Sequence, residues 1–359
     1  MTERHTIYLT PPRIGPAHIR AKIVCIRAHR ERIFQVNTTH HGTQLICNNY
    51  GHGGAGWTFL FGCVNESVRL YNQQCHERPA LIQEPIAVIG AGCHALLSAI
   101  MLARQGRTVR LIAEQTTDIP SYKAAGFFFP RPRTCSNEQE RALFERLGME
   151  SYTTYCRITR HEHPFIAQGA HLLPAYYGLD IDPGFAPYIE QGLMSPPEPV
   201  RIDFGNGKQY NVMEYMTLFI DATRMMAELN DELAILQIPI MHQTVTDFAQ
   251  LPEQVIFNCA GRGAGPLAGD KRMVPVQGHL IALEHQPDMS QLRYMINVKV
   301  TMRDAQGRTR DELIYYAPKD EGILGITFIR GQDCPTANPH EFDRLLQRSI
   351  DFFGEPSIN

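Results

Sequence analysis

The chain is 359 residues long, with 43% hydrophobic residues, 20% charged residues and a formal net charge of −3. That length allows a sizeable core, built as one large domain or two smaller ones. The near-neutral charge makes no electrostatic case for nucleic acid or an anionic membrane, and no apolar run approaches the ~18 residues of a membrane helix, so neither partner is expected.

The N-terminal stretch MTERHTIYLTPPR carries no apolar core of a secretory signal. Nine cysteines, an odd number with no CxxC pair, read as reduced thiols. A cytoplasmic protein is therefore expected. The first cluster with chemistry in it is 49-NYGHGGAGWTFLFG-62, where glycines 51, 53, 54 and 56 precede an apolar-faced helix over 57–71. Next come a short buried strand at 85–90, a helix over 94–106 that stops at a glycine, and a second strand at 108–114. Strand, turn, helix and strand in about 30 residues make a βαβ unit.

The segment 151–215, rich in proline, tyrosine and glycine, reads as short strands and loops. Residues 221–237 are helical, and 254-QVIFNCAGRGAG-265 is a buried strand ending in a glycine turn. Strand-like runs follow at 273–283, 294–302, 311–318 and 322–329, the second and third joined by a polar hairpin loop at 303–310. A helix over 340–353 closes the chain.

Gly90, Gly92 and Ala95 form a GxGxxA turn between the first strand and the helix of the βαβ unit. Gly90 would allow the tight turn, Gly92 a close approach to a pyrophosphate, and Ala95 close helix–strand packing, with the phosphate on the helix N-terminus. Glu114, at the end of the next strand, is placed to bind ribose hydroxyls, which disfavours a 2′-phosphate. The motif does not distinguish NAD from FAD. The earlier loop, Gly51 to Gly56, opens a second helix start with unpaired N–H groups. Two such starts make sense if the second stabilises charge elsewhere on the cofactor, as around N1 and the C2 carbonyl of a reduced flavin. His161 and His163 precede a proline and do not make a metal site on their own; no metal is expected.

The run 49-NYGHGGAGWT-58 resembles the flavin-contacting loop of the D-amino-acid oxidase family, and 25-CIRAHRERI-33 is similar to the family's G-x-R-P-x-R stretch. Further matches are 88-VIGAG-92, 111-LIAE-114, 124-AAG-126, 216-MTLFID-221 and 254-QVIFNCAGRGAG-265. The resemblance implies an α/β fold: a Rossmann-like FAD-binding domain with a discontinuous, mostly antiparallel substrate domain. In the family the NYGHGG loop comes last; here it comes first, so a circularly permuted order is expected. The domains would be 21–150 with 216–272 for FAD, 151–215 with 273–335 for substrate, and a helix in 336–359 returning to the FAD domain.

By the same resemblance, FAD would be held at Gly90, Gly92 and Ala95, with Glu114 on the adenosine ribose. Ala124, Ala125 and Gly126 would pass close to the isoalloxazine ring. Val245 and Gly261 would line the adenine and pyrophosphate side, and Gly53, Gly56, Trp57 and Thr58 the pyrimidine end. The Gly54 carbonyl could accept from a substrate amine. For the substrate carboxylate, Arg308, Arg310, Tyr315 and Tyr316 are the candidates, with Tyr210 and Tyr215 nearest to the family's tyrosine pair. The implied reaction is oxidation of the C–N bond of a D-amino acid or related amine by hydride transfer to flavin N5, with O2 as acceptor, giving a keto acid, ammonia and H2O2. A flavin dehydrogenase with another acceptor and a non-catalytic flavin protein remain open, as does a homodimer.

Overall fold

Continuous apolar strands such as 86–89 and 255–258 need cover on both faces, and they lie at the centre of a six-stranded sheet. The computed structural model describes residues 4–303 and 309–354. The order in this sheet is Ile240–His242, Val109–Ala113, Ile86–Ile89, Val255–Asn258, Gln44–Tyr50 and Gln35–His41. All neighbours are parallel except the last pair. The two-residue period of a strand sorts the side chains by face. Leu45, Cys47, Val88 and Phe257 join the core under helices Leu60–Glu77 and Cys93–Arg104. Ile46, Ala87, Ile89 and Ile256 meet Phe248 and Leu251 on the opposite face.

The second sheet has ten strands and is mostly antiparallel. Strand Ile19–Arg30 runs against Met273–Leu283 along its length. Strand Met295–Arg303 pairs with Thr309–Ala317, giving the expected hairpin; its connection lies outside the described residues. The sheet continues through Ala170–Tyr177, Gln209–Ile220 and Glu198–Asp203 to His5–Tyr8.

Four expectations need correction. The segment opening at 151 begins inside a 22-residue helix, Glu138–Thr159, capped by Asn137 accepting from the Glu140 N–H at 2.8 Å. Its tyrosines and threonines have strand propensity, but Phe144, Leu147, Ser151, Tyr152, Tyr155 and Ile158 fall on one helical stripe, and their burial decides. The helix after the glycine loop at 51–56 begins at Leu60, behind a 3-10 turn over Gly53–Ala55. The run 322–329 is two short strands, Ile323–Gly325 and Ile329–Arg330. Finally, the helix Pro339–Phe353 does not return to the six-stranded sheet. It buries Phe342, Leu345, Phe352 and Phe353 against Ile281, Leu283, Ile314 and Leu324 of the ten-stranded one. Among the described residues no helix is long and apolar enough to cross a membrane.

Candidate cofactor and substrate site

The turn after Ile86–Ile89 needs glycine on two grounds. Gly90 has φ +119°, and a Cβ there would overlap the Cys259 carbonyl. Gly92 precedes helix Cys93–Arg104, which has no side-chain cap of its own. The Cys93 N–H is met instead by the Ser121 hydroxyl at 3.1 Å. Ala95 is fully buried in the first turn, and Glu114 is exposed just past strand Val109–Ala113. Ala124, Ala125 and Gly126 follow the short helix Pro120–Lys123. Lys319 reaches into this bend and donates to the carbonyls of Tyr122 and, at 3.0 Å, Ala124.

The second glycine loop, residues 51–56, meets the turn at Gly90 and Gly92. The His94 Nε2 lies 3.0 Å from the Gly56 carbonyl, and the rings of His52 and His94 stack at 3.9 Å. A carbonyl partner requires Nε2 of His94 to carry the proton, which leaves Nδ1 an acceptor. That Nδ1 and the Nε2 of His52 are buried without partners. Burial lowers the pKa of His94 to about 4 and that of His52 well below the usual imidazole value, so both are neutral near pH 7. Trp57 ties the two loops through its indole N–H to the Ser121 carbonyl at 3.0 Å. Its own carbonyl accepts from Tyr155 at 2.6 Å. The Thr58 hydroxyl accepts from the Phe129 N–H at 3.1 Å.

Gly53, Gly54, Gly56, Trp57 and Thr58 are thus brought together with Gly90, Gly92, Ala95 and the 124–126 bend. Val245 packs on the outer face of the six-stranded sheet beside Ala260, and Gly261, with φ +57°, starts the turn after strand Val255–Asn258. A helix start whose N-cap glycine supplies no side chain, a turn at Gly90 that excludes a Cβ, and two orphaned imidazole nitrogens between two glycine loops suit an extended dinucleotide such as FAD.

The substrate-side expectations fare differently. Arg308 lies outside the described residues. Arg310 is exposed and pairs across from Met302, towards the open end of the hairpin. Tyr316 turns to the far face, where its hydroxyl donates to the Leu292 carbonyl at 3.2 Å. Tyr210 likewise donates to Phe352 on that face. Adjacent strand residues point to opposite sides, so Tyr315 and Tyr316 cannot share one pocket. Tyr315 is the one that faces inward, stacked on Phe127 at 4.3 Å. Tyr215 is buried and accepts from the Asp182 N–H at 2.9 Å.

A buried arginine that the sequence assigned no role is Arg27, in the 25–33 stretch. It is 6% exposed. Its Nη1 donates to the Thr327 carbonyl at 3.0 Å, and Phe328 covers it with the ring centroid at 4.8 Å. Gly278 leaves the space the guanidinium fills, since a Cβ there would overlap it. The Arg27 Cδ stands 3.4 Å from where a Gly54 Cβ would be. Among the described residues Arg27 has no carboxylate partner. Burial pulls its pKa down, with Cys25 and Tyr315 acting in the opposite sense, and a guanidinium stays charged through such a shift.

A family profile described as FAD dependent oxidoreductase matches residues 85–358. A D-amino-acid oxidase from Streptomyces coelicolor is 26% identical over 204 residues. The match covers 56% of this chain and spans 59% of that relative's length. Among solved structures, a glycine oxidase from Bacillus cereus aligns with a TM-score of 0.53 at 16% identity, covering 74% of this chain and 77% of its own. An iminodiacetate oxidase from a Chelativorans species gives a TM-score of 0.53 at 15% identity, covering 74% and 78%. These two likenesses show a shared fold.

Proposed function

The chain belongs to the family of FAD-dependent oxidoreductases, and from that premise we propose that it oxidises the C–N bond of an amino acid, of the D series, or of a related secondary amine, with O2 as acceptor. The carrying observation is Arg27: a buried, uncompensated guanidinium beside Gly54 of the second glycine loop. Such a group is costly without an anion and holds a carboxylate bidentately. The Gly54 carbonyl would accept from the substrate amine. Tyr315, whose phenol is kept protonated by burial, would donate towards the carboxylate. Phe127 and Phe328 would keep water out.

Gly90, Gly92, Ser121 and the first turn after Gly92 would hold the FAD pyrophosphate, with Glu114 on the ribose. The loop 53–58 would hold the pyrimidine end. FAD, when bound, would supply the acceptor for one hydride, which carries both electrons of the oxidation. The residues above position the substrate for that transfer. The balance is amino acid, O2 and water giving keto acid, ammonia and H2O2.

The order of the elements supports a permuted chain. The family match begins at residue 85, after the second glycine loop, although the strand leading into that loop, Gln44–Tyr50, completes the parallel part of the sheet. Residues 5–9 and 350–354 both pack on strands Glu198–Asp203 and Gln209–Ile220 and their turn, through Leu9 N–H to Asp203 and Asn206 to Phe352. A chain joined in the other order, 85–354 followed by 4–84, is expected to fold and bind FAD; loss of both would remove the permutation reading.

The test of function is anaerobic mixing of the flavoprotein with D-amino acids and secondary amines. Bleaching of the flavin by one class, and stoichiometric peroxide in air, are expected. No bleaching by any member would sink the reading, whereas bleaching without peroxide would point to a different acceptor.

A further inference from the structure

Arg27 is not the only cation beside the second glycine loop; the half-buried Arg133 is another. Strand Ile19–Arg30 directs Arg27 and His29 to the same side, about 6.6 Å apart along the strand. His29 bridges to His52 in the loop. On its far side stands Arg133, with Nη1 2.9 Å from His29 Nδ1 and Nη2 donating to the His52 carbonyl at 2.7 Å. The Arg133 Nη2 lies 3.4 Å from where a Gly53 Cβ would be, so the two guanidinium groups flank the dipeptide Gly53–Gly54.

The charge count at this place does not close within the protein. Burial lowers the Arg133 pKa to about 10, with Arg131 adding to the effect, and no carboxylate opposes it. Arg27 has none either. His29, held to about 4 by burial and by Arg133, is neutral at pH 7. The nearby Arg330 is matched by Glu31. Two guanidinium ions therefore face one loop with no countercharge among the described residues, which is unfavourable by Coulomb repulsion and desolvation together. A substrate with one carboxylate and one ammonium brings no net charge to it. A substrate with two carboxylates brings a net negative charge and a partner for each arginine.

We propose that the substrate is an acidic amino acid, with its α-carboxylate on Arg27 and the carboxylate of its side chain on Arg133. This rests on the amine-oxidation reading for the reaction and adds the substrate class. His29, between the two arginines, completes the second subsite by fixing the Arg133 guanidinium. The remaining Arg133 N–H groups are the donors for the second carboxylate.

The test uses pairs that differ in one charge, D-glutamate against D-glutamine and D-aspartate against D-asparagine. The ratio of kcat/KM within a pair is expected to favour the acid by at least about 30-fold, in line with a desolvated ion pair. Arg133→Gln is expected to collapse that ratio to within about threefold. Equal loss for both members of a pair would show Arg133 to be a latch for the loop and nothing more, and would overturn the proposal. Binding supplies a readout independent of turnover. In calorimetric titration of the FAD-loaded protein, succinate and glutarate are expected to bind at least tenfold more tightly than butyrate, and Arg133→Gln to abolish that difference. If no amino acid bleaches the flavin but the dicarboxylates still bind selectively, the reaction assignment fails and the second anion subsite stands. If amino acids bleach it and no dicarboxylate preference is found, the subsite fails and the reaction stands.

Discussion

The two sides of the proposed site are built from different materials. The cofactor side is a matter of backbone: glycines 53, 54, 56, 90 and 92, two helix starts, and a bend at 124–126. The substrate side is a matter of side chains delivered by distant strands: Arg27 from one, Tyr315 from another, Arg133 and Phe127 from the stretch that follows the bend. Backbone sites depend on which residue lacks a Cβ, a property visible in a single letter. Side-chain sites depend on which face of a strand looks inward, and that depends on its neighbours.

The largest effect should come from Gly90→Ala on the cofactor side. Its positive φ and the Cys259 carbonyl both forbid a Cβ, so a cost of at least ~3 kcal/mol and purification without flavin are expected. Gly42→Ala is the control. It shares a positive φ but has nothing within 4 Å, and should cost about 1 kcal/mol by thermal melting. Equal losses would mean that strain, not crowding, governs the turn.

On the substrate side, Arg27→Met should raise KM about 10²–10³-fold while flavin content stays normal, because a partly desolvated carboxylate loses its partner. A variant that lost flavin instead would move Arg27 to the cofactor side and erase the contrast drawn above.

The pH dependence probes where the two loops join. The folded pKa of His94, about 4, lies below the unfolded value near 6.5. Between those values the unfolded chain binds more protons. Stability is therefore present in full above pH 6.5 and falls as pH drops toward 4, by roughly 2 kcal/mol at pH 5 from this group alone. Melting curves from pH 7.5 to 5 should show the loss, and His94→Asn should flatten it; an unchanged slope would exclude His94 as its source.

The smallest effects should fall on residues that the chain order alone suggests. Arg310→Ala is expected to change kcat/KM less than about twofold, since it is exposed on the hairpin. Tyr316→Phe should cost about 1 kcal/mol of stability through the lost bond to Leu292, with KM unaffected. A KM effect from either would restore the hairpin to the site.

The two glycine turns were legible because GxGxxA after a strand and NYGHGG before an apolar helix each demand glycine for local reasons. The long helix Glu138–Thr159 was partly hidden, since the Tyr- and Thr-rich letters of 151–155 favour strands until their burial on one stripe is known. Arg27 stands within 25-CIRAHRERI-33, the stretch similar to the family's G-x-R-P-x-R. Nothing local separated it from Arg30, which turns to the other face and pairs with Asp270 at 2.6 Å. Arg310, by contrast, precedes Tyr315 and Tyr316 in the chain, an order that marks it as a carboxylate candidate in the sequence.

The amino-acid sequence by itself determined the βαβ unit, both glycine loops and the apolar strands, because steric freedom and hydrophobic period act within a few residues. The tertiary structure alone decided that His94 meets Gly56, that Arg27 rather than Arg310 faces Gly54, and that helix Pro339–Phe353 covers the larger sheet. Each of these pairs residues far apart in the chain. The face a strand shows is set by its register with a partner, and neither register nor partner is written in the strand's own letters.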